Sequence, residues 1–467
     1  MGLLIGDVFR NAARAVPHHE AVRLGDRSLS FETVDRWANK VGHRLRSSGV
    51  ALGDRVVVRA GTGLDVVPVF AGVTKLGAVF VPINPALAGD EAEAITRAAQ
   101  PALVVTDVAQ FVEEAAGEPA SDIGNDALRE GDAHVVFFTS GSSGRPKGAV
   151  LSHRVNFLRS HPGALLERRG AIVCPYPLFH MGAWTIALQQ WQARDTVVLV
   201  DRADAGLIAD AVARANATRL NCIPAVWRRL VDHQAELPTI RFADTGTSAT
   251  PTSLLHDIRR VAPNAQVRVF YGSTEAGSVA CLDDVDIDRK PGSCGVPGPS
   301  TEVRLDDGAE LLVRGPLLFD GYLHDDDATA AALSEGWYHT GDLAEIDGEG
   351  YITIVGRTGE VIRSGGEGIA PAEVEAALAD HPAVADVAVV GWPDVEWGEI
   401  VCAAVVVRST DDVPTLDGLR AHCGPRLAPF KHPRQIVVVD SIPRTAATNQ
   451  VQRGLLMEQL ARHFPAR

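Results

Sequence analysis

Apolar positions recur with a helical period over Thr33–Ser47, and a short apolar run follows at Asp54–Arg59. The same succession returns at Glu91–Ala99 with Ala102–Thr106, and at Ala205–Ala215 with Thr218–Ile223. Strands of a parallel sheet are covered on both faces by the helices that connect them, so they read as short continuous apolar runs between helix-period segments. The pattern predicts an α/β fold: a large N-terminal domain of mostly parallel sheets flanked by helices. Near Arg357 the pattern changes. Gly341–Thr353 reads as a hairpin with Asp347-Gly348 as turn residues. A helix over Pro371–Ala379, strands over Val384–Val390 and Ile400–Val407, a helix over Leu416–Cys423 and a strand over Gln435–Val439 follow. This second part is a small α+β domain. Gly359 can supply the backbone freedom of a hinge, so the expected domains are 1–359 and 360–467.

Composition agrees with such a fold. The 467 residues are 46% apolar and 22% charged, enough for substantial cores in roughly two or three domains. A net charge of −15 argues against nucleic acid as a partner. No apolar run has the length of a membrane span. The start, MGLLIGDVFRNAARAVPHH, lacks the basic opening and long apolar core of a signal peptide. The six cysteines (174, 222, 281, 294, 402 and 423) show no CxxC spacing and read as buried free thiols, which together with the missing leader predicts a cytoplasmic protein. No repeat and no metal-ligand cluster is visible.

Residues 138–148 read FTSGSSGRPKG, with an apolar run on each side (Val135-Val136-Phe137 and Ala149-Val150-Leu151). The loop therefore joins two strands. Glycines let backbone N–H groups turn toward an anion, the hydroxyls of Thr139, Ser140, Ser142 and Ser143 add donors, and Lys147 adds a mobile charge. The chemistry is phosphate cradling; the plain alternative is a solvated Gly/Ser turn. The spacing is not that of an ordinary P-loop. Only five of the 44 basic residues are lysine (40, 75, 147, 290 and 431). A lysine inside this loop stands out, because arginine does not replace a compact charge directed at phosphate.

Further motifs occur in order. They are Gly53-Asp54-Arg55-Val56, Val81-Pro82-Ile83-Asn84-Pro85, Tyr271-Gly272-Ser273-Thr274-Glu275 and Lys290-Pro291-Gly292-Ser293. Tyr338-His339-Thr340-Gly341-Asp342, Gly356-Arg357 through Gly365-Gly366-Glu367, and Pro443-Arg444-Thr445 complete the series. With the phosphate loop, this set resembles the adenylate-forming (ANL) superfamily of acyl-CoA synthetases, luciferases and peptide-synthetase adenylation domains, over nearly the whole chain. The resemblance implies a large N-terminal domain, a mobile C-terminal lid and a two-step reaction. A carboxylate attacks the α-phosphate of ATP to give an acyl-adenylate and pyrophosphate; a thiol, commonly that of coenzyme A, then displaces AMP. Mg²⁺ accompanies the nucleotide.

By the same resemblance, Thr139, Ser140, Gly141, Ser142, Ser143 and Lys147 would hold phosphate. Tyr271 would lie against adenine, with Gly272 and Ser273 in the same nucleotide-binding element. Thr274 would contact the α-phosphate and Glu275 would hold Mg²⁺. Asp342 would take both ribose hydroxyls, with Arg357 beside it. Tyr176 and His180 would border the acyl pocket, and Gly246, Thr247 and Ser248 would form another wall. Glu360 takes the hinge position, and Gly365, Gly366 and Glu367 would line the path of the pantetheine arm. Plainer roles are open for some of these: a turn cap for Asp342, a helix N-terminal acid for Glu275, a satisfied half-buried histidine for His180. Amino-acid-activating members carry an aspartate near the position of His180, so an amino-acid substrate is disfavoured.

One departure changes the functional reading. The family ends with a P-R/K-T-x-x-G-K element whose lysine serves adenylation. Here the stretch runs Pro443-Arg444-Thr445-Ala446-Ala447-Thr448-Asn449-Gln450-Val451-Gln452-Arg453, with Asn449 or Gln450 at that position according to register, and no lysine follows Lys431. A neutral amide cannot neutralise charge developing on phosphate, and losing such a group typically costs roughly 10²–10³ in rate. Rescue by Arg444 or Arg453 is the alternative, as is an introduced lysine-to-glutamine change, which the extra residue in the element disfavours. The expectation is an acyl-CoA ligase family enzyme that favours thioesterification, taking a carboxylic acid's adenylate and coenzyme A, with a partner ligase making the adenylate. The alternatives are a complete ATP-dependent acyl-CoA ligase, a stand-alone adenylation protein that loads a carrier protein, and a non-catalytic adenylate- or acyl-binding protein.

Overall fold

The structure is a computed structural model and describes residues 2–140, 146–161, 169–364, 367–409, 411, 413–445 and 450–463. The chain divides into two compact units, Met1–Glu302 with Val313–Tyr338, and Val303–Leu312 with His339–Arg467. The expected boundary at Gly359-Glu360 therefore lies inside the second unit. The hairpin of Trp337–Ile346 with Ile352–Arg357 belongs for most of its length with the C-terminal residues, and the short segment 303–312 joins it by contacts that local sequence does not announce.

The first unit holds two sheets. In the nine-stranded sheet six successive strands are parallel: Gln266–Ser273, Phe242–Gly246, Arg219–Asn221, Ile172–Cys174, Val197–Leu199 and Glu20–Leu24. Antiparallel strands close both ends. The six-stranded sheet pairs Leu103–Val105, Arg55–Arg59, Val79–Ile83 and Ala133–Ser140 in parallel, then adds Pro146–Ser152 and Gly321–Tyr322 antiparallel. The parallel strands are the apolar runs of the sequence: Val79–Ile83 is buried at every position. The helix over Ala205–Ala215 has the bounds its periodicity predicts, and Thr33–Ser47 extends by two residues to Phe31–Ser47, capped by Ser30. Phe70 stacks on Trp184 at 4.0 Å, with Phe9, Phe80 and Trp191 against this pair.

The second unit is a small α+β body. Its sheet orders Glu367–Ile369, Ile362–Ser364, Gly398–Val407 and Val384–Asp394, with Gln435–Val438 parallel to Gly398–Val407. Alternate residues of the long strands serve opposite faces. Val387, Val389, Val401 and Val405 pack with helices Pro371–Ala379 and Leu416–Cys423. Ala388, Val390, Cys402 and Ala404 pack with Leu456 and Leu460 of helix Arg453–Ala461. All six cysteines are free. Among the described residues no helix is long and apolar enough to cross a membrane.

Candidate active site

The phosphate loop lies where its flanking runs place it, between antiparallel strands Ala133–Ser140 and Pro146–Ser152. Gly141, Ser142 and Ser143 fall outside the described residues, as does the side chain of Ser140. Thr139 stands opposite Lys147 in the ladder and its hydroxyl donates to the Lys147 carbonyl at 3.4 Å. The Lys147 ammonium rests over the ring of Tyr322, 5.1 Å from its centroid. The Tyr322 hydroxyl donates to Glu275 Oε1 at 3.1 Å. Burial and the neighbouring carboxylate both push the phenol's pKa up, so the phenol keeps its proton.

Tyr271-Gly272-Ser273 ends the strand Gln266–Ser273, and Thr274-Glu275 form the turn into Gly277–Leu282. The turn is tight: a Cβ on Gly272 would lie 2.0 Å from the Gly277 carbonyl oxygen, so only glycine fits. Ser273 Oγ accepts from the Ala276 N–H at 3.0 Å. Arg159 fixes the turn from below. Its Nη1 donates to the Thr274 carbonyl at 2.9 Å, Nη2 to the Glu275 carbonyl at 2.8 Å, and Nε to the Leu317 carbonyl at 2.8 Å. Burial lowers the pKa of this guanidinium to about 10, with Glu275 acting against the drop, so it is a cation at neutral pH.

Glu275 is buried at 8% exposure. Its carboxylate takes one hydrogen bond from a neutral donor and has no ion-pair partner among the described residues. A buried carboxylate with one oxygen left over has the chemistry of a ligand for a hard divalent cation. Among the described residues no group of three or more acidic, histidine or cysteine side chains could hold a metal alone.

The residues assigned to the acyl pocket gather at the C-terminal ends of the parallel strands, where open α/β sheets bind ligands. Tyr176 is buried and its hydroxyl donates to Asn221 Oδ1 at 2.9 Å. His180 stacks on Tyr176 with centroids 6.2 Å apart and caps helix Met181–Gln192, its Nδ1 accepting from the Gly182 N–H at 3.1 Å. Burial pushes its pKa down to about 4, so the ring is neutral near pH 7 and its proton sits on Nε2. Gly246 ends its strand against Phe270, whose carbonyl oxygen would be 2.3 Å from a Cβ there. Thr247 follows with φ +70°, a strained conformation for a β-branched residue, and both it and Ser248 are exposed.

In the second unit Asp342 and Arg357 face each other across the hairpin, and Arg357 Nε donates to Asp342 Oδ1 at 2.8 Å. Asp342 is buried, while the Arg357 side chain is half exposed. Glu310 orders the turn before Asp342, accepting from the Gly341 N–H at 2.7 Å and pairing with His339 Nδ1 at 3.1 Å. Ser364 pairs with Glu367 around Gly365 and Gly366, which are outside the described residues. Glu360 ends a short 3₁₀ turn and pairs with Arg453 at 3.4 Å, beside an open depression of about 220 Å³ also bordered by Val390, Glu399 and Met457.

Gln450 pairs with Thr445 through its backbone. The Thr445 N–H donates to the Gln450 carbonyl at 2.8 Å, the Gln450 N–H returns to Thr445 Oγ1 at 3.0 Å, and Arg444 bridges Val451. The Gln450 side chain is exposed, and Asn449 lies outside the described residues. Both arginines that could stand in for a lysine are engaged elsewhere. Arg444 holds Asp386 through two nitrogens at 2.7 and 3.2 Å. Arg453 holds Glu375 at 2.7 Å as well as Glu360.

Sequence reading missed Arg159, Tyr322 and Glu310. Arg159 and Glu310 act largely on backbone atoms, which carry no residue signal. Tyr322 sits in a Gly-Tyr pair that nothing nearby marks.

A family model for the AMP-binding enzyme matches residues 9–323, and one for the AMP-binding enzyme C-terminal domain matches residues 373–448. The chain belongs to the AMP-binding enzyme family. It is 33% identical to an indoleacetate–CoA ligase of Aromatoleum aromaticum, over 92% of this chain and 93% of that one. It is 34% identical to a feruloyl-CoA synthase of Amycolatopsis (93% and 95%) and 31% identical to a long-chain-fatty-acid–CoA ligase of Mycobacterium tuberculosis (99% and 99%). Among solved structures, an o-succinylbenzoate CoA synthetase from Bacillus subtilis with an acyl-adenylate intermediate superposes with a TM-score of 0.88 at 26% identity, over 98% of each chain. This AMP-binding enzyme is thus an acid–thiol ligase by family, with the α/β fold of its structural neighbours.

Proposed function

We propose that this AMP-binding enzyme is an acyl-CoA ligase whose thioester-forming half-reaction outruns its adenylating half. The observation that carries the reading is the lack of any lysine after Lys431, with Arg444 and Arg453 both tied into ion pairs. Adenylation places negative charge on the α-phosphate as the carboxylate attacks, and only a group that stabilises this charge more than the ground state speeds the step. Thioesterification makes a different demand. The thiol of coenzyme A attacks the acyl carbonyl, the C–S bond forms, the C–O bond to phosphate breaks, AMP leaves with the electron pair, and the thiol proton passes to solvent. For that step Asp342 with Arg357 would hold the ribose, Tyr271 the adenine and Lys147 the phosphate. A divalent cation held by Glu275 would neutralise phosphate charge. Neutral His180 would offer an Nε2–H donor rather than a charge to the acyl group. A separate adenylating ligase would supply the acyl-adenylate.

A second reading, a complete ATP-dependent ligase, is favoured by the complete phosphate-loop motif at residues 138–148, because a chain that only consumes acyl-adenylate has no pyrophosphate groups to hold. The test supplies a panel of acyl-adenylates with coenzyme A, beside the same acids with ATP and coenzyme A. The proposal expects turnover from the adenylates to be at least about a hundredfold faster. Comparable rates identify a complete ligase. AMP binding without turnover of either set identifies a binding protein.

A further inference from the structure

We propose that Tyr322 is a positioning residue that holds Lys147 and Glu275 apart and ready, the one for phosphate and the other for a divalent cation. The inference rests on the phosphate-site reading above. Among the described residues neither charge has an ion-pair partner, yet both touch one phenol: the ammonium on the ring face, the carboxylate on the hydroxyl. An ammonium and a carboxylate held on one phenol attract each other, the more so in a partly dry site. A direct pair would cancel the cation the phosphate needs and occupy the oxygen the metal needs. The phenol satisfies each group separately, by its quadrupole and by its O–H. It accepts neither group's full charge, so an arriving nucleotide and cation can displace both contacts.

The ring is well anchored for this. Gly321–Tyr322 pairs antiparallel with Ala149-Val150, on the strand that carries Lys147. The flanking Asp320 N–H donates to the Val150 carbonyl at 2.9 Å, and the Leu323 N–H to the Gly148 carbonyl at 2.8 Å. The Tyr322 N–H donates to Thr329 Oγ1 at 2.8 Å, and Phe319 packs edge-on at 4.8 Å. On the other side the Glu275 backbone is fixed by Arg159 and by the Phe319 N–H, which donates to its carbonyl at 2.7 Å. Lysine strand and glutamate turn are each built rigidly, and Tyr322 sets what their side chains do.

The test is calorimetric titration of the full chain with ATP, with and without MgCl₂, and with AMP as a control for folding. Tyr322→Phe keeps the ring and loses the hydroxyl. ATP affinity without Mg²⁺ and AMP affinity are expected to stay within about twofold, while the strengthening of ATP binding by Mg²⁺ falls by roughly tenfold, as when an outer-shell partner of a metal ligand is removed. Tyr322→Leu also removes the ring face, so Lys147 collapses onto Glu275 and the Mg²⁺-free ATP affinity falls as well. Adding Glu275→Gln to Tyr322→Leu frees the lysine and restores that affinity, a recovery that damage to packing would not give. An unchanged Mg²⁺ response in Tyr322→Phe, or no recovery in the double variant, overturns the proposal. A parent chain that binds AMP but shows no Mg²⁺-dependent ATP binding overturns the phosphate-site reading itself, and the proposal with it.

Discussion

Replacing Arg159 by methionine removes the clamp under the Thr274-Glu275 turn while keeping much of the side-chain volume. The structure sets the size of the effect. Among the described residues the Thr274 and Leu317 carbonyls have no donor other than this guanidinium, whereas the Glu275 carbonyl keeps the Phe319 N–H. Two carbonyls are therefore orphaned and one loses half its partners. An orphaned buried acceptor costs about 1–3 kcal/mol and a lost bond to a charged donor is of similar size, so the sum is roughly 3–9 kcal/mol. For a unit the size of Met1–Glu302 with Val313–Tyr338, this lowers the calorimetric transition by about 4–13 °C. Arg159→Lys keeps the charge but not the three-way fork, and is expected to recover less than half of the loss. The functional consequence separates clamp from filler: because the turn carries Glu275, the gain in melting temperature on adding MgATP should shrink in both variants. A transition within about 1 °C of the parent, with an unchanged MgATP shift, would refute the clamp.

Other perturbations rest on single observations. Gly272→Ala puts a Cβ 2.0 Å from the Gly277 carbonyl oxygen, so AMP binding measured by calorimetry should be abolished; retained affinity would mean the turn can open at little cost. Burial lowers the pKa of His153 to about 4 from 6.5, and burial also lowers that of His134 well below its usual value. Between those values the unfolded chain binds more protons than the folded one, so stability is full above about pH 6.5 and falls as pH drops toward 4. His153 supplies about 3 kcal/mol of that fall, and His153→Gln should flatten the melting-temperature profile between pH 6.5 and 4; an unchanged slope counts against it. Gln450→Lys, with Asn449→Lys for the other register, should raise acid-dependent pyrophosphate release by roughly tenfold or more. No increase in either variant would remove the main support for slow adenylation.

What could be read without coordinates was whatever leaves a periodic or compositional trace. The helix over Ala205–Ala215 and the strands around the phosphate loop did, because burial imposes a period that side chains must follow. So did the hairpin around Asp347-Gly348, whereas Arg357 beside Asp342 was implied by the family resemblance and is paired across that hairpin in the structure. The chain's division did not, because Val303–Leu312 joins the second unit by contacts remote in sequence. Arg159 reaches Thr274 across 115 positions, and Tyr322 reaches Glu275 across 47. Pairings of that kind depend on how sheets are ordered, and a carbonyl acceptor looks the same beneath every side chain.

The sparing use of lysine gains meaning from this geometry. Arginine stands where a planar fork serves several acceptors: Arg159 on three carbonyls, Arg444 on both oxygens of Asp386, Arg453 between Glu360 and Glu375. Lysine stands where a compact charge is needed. Lys75 is buried with its ammonium 2.5 Å from Asp35 and 2.7 Å from Asn39, and Lys147 sits over the face of a ring. At these two positions the compact ammonium does what a planar fork would do less well. A general replacement of lysine by arginine would have put an arginine at position 449 or 450, and both hold neutral amides. The proposal of slow adenylation therefore rests on these two positions rather than on the chain's general preference for arginine.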